Sequence, residues 1–198
     1  GSACGSLFPT RNQCDEFEDI HVTCIDNGMP VVCLQASDFS LNGNETPDQL
    51  NANEALKVRL ESIRLKAGLA MGLGDVSEKA VPKMCLVSKP IHGGTINTHT
   101  FIPHQCHKAI GVLGAISVAT AALLKDSAIY HLASIPDSKT KNMNDKQMII
   151  EHPSGNFGVE LKLSIHNGRP QIERAGLLRT TRMLCRGEVY VPKSVWDG

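Results

Sequence analysis

Residues 109–124 read Ala-Ile-Gly-Val-Leu-Gly-Ala-Ile-Ser-Val-Ala-Thr-Ala-Ala-Leu-Leu, with no Asp, Glu, Lys, Arg, Asn or Gln among them. This run constrains the fold more than any other stretch. A helix that is apolar on every face has to be buried on every face. The run falls short of the ~20 apolar residues that a helix needs to cross a bilayer, so it reads as a core helix. Gly111, Gly114, Ala115, Ala119, Ala121 and Ala122 keep it thin, which lets other backbone pack closely around it. Directly before it stands Pro103-His104-Gln105-Cys106-His107. The first N–H groups of a helix lack internal partners and carry the positive end of the dipole, so such a tip attracts anions. The expectation is a buried rod with a ligand at a tip furnished with two imidazoles, an amide and a thiol. The competing reading is an ordinary helix start with satisfied side chains.

A second helix is expected over residues 54–71, and it has the opposite character. Leu56, Leu60, Ile63, Ala67 and Met71 form one apolar stripe, while Arg59, Glu61, Arg64 and Lys66 are assigned to a solvated outer face. Thr46 before Pro47 reads as an N-cap with proline at the first helical position, and Gly72 and Gly74 end the helix. Strands are expected over residues 20–25, 31–34, 83–88, 95–101, 147–151, 157–165 and 171–178, with a last short one at 189–191. Residues 126–132 read as a short element and 136–146 as a polar surface loop. Asp26-Asn27-Gly28-Met29-Pro30 and Asn167-Gly168 mark hairpin turns. The first of these is either a plain connection, which turn chemistry favours, or a loop that offers side chains and N–H groups to a ligand. Many short strands with two unlike helices give an α+β class. A curved, barrel-like, mostly antiparallel sheet wrapped around the buried helix accounts for both helix types.

The chain of 198 residues, 41% hydrophobic and 20% charged, fits one good-sized domain or half of a larger protein. Its formal net charge is zero and its pI is about 7.2, which points to neither nucleic acid nor a membrane surface as a partner. One Trp, two Tyr and five Phe are too few for base-stacking platforms. The N-terminal residues do not read as a secretory signal. The cysteine count is odd, no Cys-x-x-Cys occurs, and Cys24, Cys33 and Cys85 lie in apolar runs. This pattern predicts reduced thiols and a cytoplasmic protein.

His104, Cys106 and His107 are candidate metal ligands, but no second ligand pair accompanies them, so no metal is assigned. Cys106 is a candidate activated thiol, because a helix N-terminus lowers a thiol pKa. No P-loop, Gly-x-Ser-x-Gly or dinucleotide fingerprint is present, so the site reads as cofactor-free. Glu151-His152 beside Ser154-Gly155 is either an acid/base pair or a strand end with an anion-binding turn. Arg179 and Arg182 either clamp a carboxylate or form surface ion pairs, the reading favoured by the small energy of exposed pairs.

Several stretches carry a family resemblance. They are Asp26-Asn27-Gly28-Met29-Pro30-Val31-Val32, Met71-Gly72-Leu73-Gly74-Asp75-Val76, Phe101-Ile102-Pro103-His104-Gln105-Cys106-His107, Ile150-Glu151-His152-Pro153-Ser154-Gly155, Leu178-Arg179-Thr180-Thr181-Arg182 and Gly187-Glu188-Val189-Tyr190-Val191-Pro192. Together they resemble the 4-oxalomesaconate tautomerase group of the 2-methylaconitate isomerase family, which is distantly similar to diaminopimelate epimerase. The match covers the second half of the family's length, so residues 1–198 would be a second, C-terminal domain. Residues from about 187 to 198 would cross to the first domain. The resemblance implies two domains, each a curved sheet around a central helix, with a cleft at both helix tips. It implies a cofactor-free 1,3-proton shift on an unsaturated di- or tricarboxylate, with the main base in the first domain. On this chain it implies Asn27, Met29, Pro30, His104, Gln105, Cys106, His107, Ser154 and Gly155 as substrate-binding residues, with Cys106 also a catalytic candidate. The first domain and a second copy of the chain are the implied partners. Arg11 departs from the family pattern, standing where many relatives have Gly or Asp. A non-catalytic domain that binds a carboxylate or a protein is the alternative.

Overall fold

The computed structural model describes residues 3–135, 145–166, 169–178 and 182–196. The elements run β1 (Asp15–Phe17), β2 (Ile20–Asp26), β3 (Pro30–Gln35), α1 (Pro47–Ala52), α2 (Glu54–Ala70), β4 (Lys83–Ser88), β5 (Ile96–Phe101), α3 (Val112–Leu123), β6 (Asp145–His152), β7 (Gly155–His166) and β8 (Arg169–Leu178). Short 3₁₀ turns occupy Ala36–Phe39 and Tyr130–Leu132. The strands form one eight-stranded mixed sheet in sequence order, β1 to β8, open at both edges. The β3–β4 and β5–β6 pairs are parallel, and the other neighbours are antiparallel.

Those two parallel pairs decide where the helices go. A parallel pair needs a crossover, and crossovers are right-handed. The β3–β4 crossover carries α1 and α2, and the β5–β6 crossover carries α3. Because β4 and β5 are antiparallel, the same hand sends the two crossovers to opposite faces. The burial agrees. Val31, Cys33, Cys85, Val87, Ile96 and Ile150 pack with Ala115, Val118, Ala119 and Ala122 of α3. Their sequence neighbours Val32, Leu34, Met84 and Leu86, together with Phe101, pack with Leu56, Leu60, Ile63 and Ala67 of α2. With both faces covered, β5 is buried at every position. Its polar face is roofed by a loop, where Asn97 Nδ2 donates to the Gly43 carbonyl at 2.6 Å.

Two sequence expectations need correction, on α3 and on Arg64, and a third holds for a helix of its own. The central helix starts at Val112, not at 109. Gly114–Ala122 is buried, but Val112 and Leu113 are 39% and 44% exposed, because the first turn emerges at the surface. Thr46 is the N-cap and Pro47 the first helical residue, as expected, but of a separate short helix, α1, closed by a reciprocal Thr46–Gln49 capping box, and Asn53 then caps α2. Arg64 is fully buried rather than on the outer face. Its Nε and Nη2 grip Glu61 at 2.6 and 2.8 Å, and Nη1 donates to the carbonyls of Lys79 and Val81 at 3.0 and 3.3 Å. A guanidinium enters a core only when its donors are met, and here the chain after α2 supplies the remaining acceptors.

Strand β1 escaped the sequence reading. It joins β2 through a two-residue turn at Glu18 and Asp19, both at positive φ, with Glu18 held by Ser62 and Lys66 of α2. Residues 189–191, expected as a strand, form none. Val189, Tyr190, Val195 and Trp196 are exposed, and residues 182–196 pair with no strand among the described residues. Arg182 is exposed. Arg179, the Asn167-Gly168 turn and most of the expected 136–146 loop lie outside the described residues. Among the described residues no helix is long and apolar enough to cross a membrane.

Candidate functional site

The tip of α3 is reached by a tight return from β5. The N–H of Ile102 donates to the Gln105 carbonyl at 3.0 Å, Cys106 bridges back to Phe101, and the His107 N–H donates to the Thr100 carbonyl at 2.9 Å. Strand β4 already holds one edge of β5 up to Phe101, and β6 pairs only as far as Asn97. The returning residues take the edge that β6 leaves. The chain then runs through Lys108 and Ala109, both exposed, to Gly111, the N-cap of α3. Gly111 offers no side-chain cap, so the first-turn N–H groups face outward with their share of positive charge.

A polar turn flanks each side of this tip. On one side, the Asn27 N–H donates to Ser117 Oγ at 3.2 Å and Asn27 Nδ2 donates to Thr120 Oγ1 at 2.9 Å. Ser117 Oγ donates in turn to the Met29 carbonyl at 2.8 Å. Gly28 sits at φ +99°, and a Cβ there would lie 3.2 Å from Leu113. The turn is thus strapped along α3, with Gly28 against its first turn and Asn27 tied to its second and third, and Pro30 is buried as β3 begins. On the other side, the His152 ring bonds the Lys108 backbone, which raises its pKa against a larger lowering by burial. Its Nδ1 lies 3.3 Å from Ser154 Oγ, and its ring centroid lies 5.0 Å from that of Phe157. Ser154 and Gly155 are exposed beside it. A neutral, acceptor-bearing imidazole and a hydroxyl therefore stand next to the approach to α3.

The structure separates the rest of the predicted set from this tip. His104 reaches α2, its Nδ1 lying 3.5 Å from Glu61, and Gln105 is exposed on the turn. Cys106 packs in the core on the α2 side. Both of its backbone groups are held by Asn51 of α1: its N–H donates to Asn51 Oδ1 at 2.7 Å, and Asn51 Nδ2 donates to its carbonyl at 3.4 Å. The expected lowering of its thiol pKa is overturned. Cys106 precedes the helix by more than a turn, and burial pushes the thiol up to about 12. Glu151 is not paired with His152 either. Consecutive strand residues point to opposite faces, and the Glu151 carboxylate accepts the N–H groups of Ile91, His92 and Gly94 at 2.7, 2.9 and 2.6 Å.

Ser117, Thr120 and Asn51 were missed by the sequence reading. The first two had a signal: hydroxyls three residues apart in an otherwise apolar helix need partners. Among the described residues no His, Cys, Asp and Glu cluster is placed to hold a metal ion, and all seven cysteines are free thiols.

The chain is 50% identical over 198 residues to the 4-oxalomesaconate tautomerase of Pseudomonas putida, covering 100% of this chain and 52% of that protein. It is 44% identical over 191 residues to the (4E)-oxalomesaconate Delta-isomerase of Novosphingobium sp., covering 96% and 51%. The fold matches the crystal structure of a methylitaconate-delta-isomerase with a TM-score of 0.71 at 22% identity, over 90% of this chain and 52% of that one. The chain thus spans about half the length of the curated relatives it matches. Its residues 1–192 match the family described as PrpF protein, and the chain belongs to that family.

Proposed function

We propose that this chain forms one half of a cofactor-independent isomerase that shifts a proton between the 1 and 3 positions of an unsaturated polycarboxylate such as 4-oxalomesaconate. The observation that carries this reading is the uncapped tip of α3 between two polar turns, Asn27–Met29 and His152–Gly155. Removing a proton next to a conjugated carbonyl or carboxylate leaves an extended enolate, and returning the proton at the far end of the allylic system completes the shift. Outward N–H dipoles fixed before the reaction stabilise that charge without reorganisation. The Lys108 ammonium and the Ser154 hydroxyl add partners for further carboxylates. The names of the relatives support the reaction class and the substrate type.

The base is assigned to a first domain, which the other half of the relatives' length would supply. Cys106 takes no part as a base in this reading, because a thiol raised to about 12 stays protonated at neutral pH. His107, next to Lys108, is assigned to the approach to the tip, whereas His104 lies towards α2 and Gln105 on the exposed turn. We read the sheet as curling around α3, since the helix touches β2 and β3 towards one edge and β7 and β8 at the other. The tail from about residue 187 is assigned to the first domain, and pairing of copies is proposed through the same exposed apolar residues.

The test is proton exchange in deuterated water, followed by NMR against a panel of unsaturated di- and tricarboxylates. The protein carrying both domains is expected to exchange substrate protons. This chain alone is expected to bind carboxylates weakly and to exchange nothing at a useful rate, since each missing acid–base group is worth ~10²–10⁴-fold. Robust turnover by the isolated chain would mean that the catalytic groups are misassigned, and binding without exchange by the two-domain protein would leave a carboxylate-binding domain.

A further inference from the structure

A cleft of about 830 Å³ separates the N-terminal segment from the start of β8 at Pro170. That segment is fastened along the outer side of β2. The N–H of Asp26 donates to the Leu7 carbonyl at 2.9 Å, Thr23 Oγ1 donates to the Gln13 carbonyl at 2.7 Å, and the Asp26 carboxylate accepts the N–H groups of Ala3 and Cys4 at 2.8 Å each. Leu7 and Phe8 lean on the core that α3 belongs to, and with Pro9 and Pro170 they form the apolar half of the cleft lining. None of the lining residues belongs to the α3 tip.

Arg11 is the only charged side chain in the lining among the described residues. The other polar groups there are already committed. Ser6 Oγ donates to the Phe8 carbonyl at 3.0 Å, and Gln13 Nε2 reaches Asp126 at 3.4 Å. The carboxylate nearest in sequence, Asp15, is taken by Thr10 Oγ1 at 2.7 Å and Asn12 Nδ2 at 2.9 Å. Arg11 has no ion-pair partner among the described residues. It also sits at φ +68°, a left-handed conformation in which a glycine would be unstrained. A bulky cation held at such a position beside Leu7, Phe8, Pro9 and Pro170, with the neighbouring carboxylates of Asp15 and Asp26 already bonded to other groups, has the composition of a site for an amphipathic anion.

We propose that this cleft binds an organic carboxylate with an apolar body. The Arg11 guanidinium takes the carboxylate, and Phe8, Pro9 and Pro170 take the hydrocarbon. The site is independent of the isomerase reading, because it shares no residue with the α3 tip and its test needs no turnover.

The test is a titration of this chain with sodium benzoate, read by amide NMR shifts. Acetate supplies the charge without the body, and benzyl alcohol the body without the charge. Benzoate is expected to give saturable shifts at Gly5, Ser6, Leu7, Phe8 and Gln13, with both controls at least about tenfold weaker. Arg11→Gln is expected to weaken benzoate about tenfold, and Arg11→Lys less, since it keeps the charge but loses the forked donor pair. Arg11 is solvent-exposed, so spectra away from the cleft report whether each variant is folded. No saturable shift, shifts confined to the α3 tip, binding unchanged in Arg11→Gln, or benzyl alcohol binding as well as benzoate would each overturn the proposal.

Discussion

Single residues carry unusual conformational loads in this chain. Arg11 holds a left-handed backbone at φ +68°. The left-handed region costs a side-chain-bearing residue ~1–2 kcal/mol, and glycine returns ~0.5–1 kcal/mol of that through its freer unfolded state. Arg11→Gly is therefore expected to raise the unfolding free energy by up to ~1 kcal/mol in urea titration while abolishing the benzoate response. Arg64 is the opposite case, a charge whose removal hurts. Arg64→Ala leaves the Lys79 and Val81 carbonyls and Glu61 without their donor and opens a cavity. The expected loss is about 3 kcal/mol, with Arg64→Met losing less because it keeps the volume. Equal urea midpoints for the two variants would show that hydrogen bonding, not volume, decides the site.

At the scale of elements, α3 works as a spine to which a turn is tied. Thr120→Val keeps the shape of the side chain and removes the acceptor for Asn27 Nδ2. About 1 kcal/mol of stability should go, with faster hydrogen exchange at Asn27 and Gly28 while the amides of β7 are unaffected. Strand β5 is tied in another way, through the loop that roofs it. Burial lowers the His99 pKa from 6.5, although the backbone and carboxylate of Glu45 raise it. The unfolded chain then takes up a proton near pH 6.5 that the folded chain refuses until a lower pH. The stability from this residue is complete above about pH 6.5 and is lost as pH falls through the lowered folded value. His152 adds to the same trend, since burial lowers its pKa too. The urea midpoint should decline below about pH 6.5, and the decline should be shallower in His99→Gln. A decline of the same slope in that variant would move its origin elsewhere.

At the scale of the whole molecule, an eight-stranded sheet keeps a helix layer on each face because its parallel pairs run in opposite senses. Every strand from β2 to β7 is paired on both sides, so stability is held in the sheet and not in the segments after it. Truncation after Arg186 is expected to change the unfolding free energy by less than about 0.5 kcal/mol, since Val189, Tyr190 and Trp196 are exposed. The same truncation should reduce concentration-dependent association if those side chains recruit another copy. A large loss of stability would show that the tail packs on this domain.

Local pattern determined much of this protein on its own. The stripe of α2, the uncharged run of α3 and the alternation read in β2, β5 and β7 are short-range signals, and each fixes an element whatever surrounds it. The turn at Asn27–Met29 and the polar return at 102–107 were legible for the same reason. Tertiary structure decided what those pieces face. Arg64 looked solvated because helical spacing alone cannot foresee that the chain at Lys79 and Val81 brings carbonyls to it. Cys106 looked activated because the sequence places it just before a helix, while the bridge to Phe101 and the clamp of Asn51 turn it into the opposite core. Glu151 and His152 looked like a pair because they are neighbours in sequence, and strand geometry sends them to opposite faces. Burial, protonation and hydrogen-bond partnership depend on groups distant in the chain, so the fold alone could assign them.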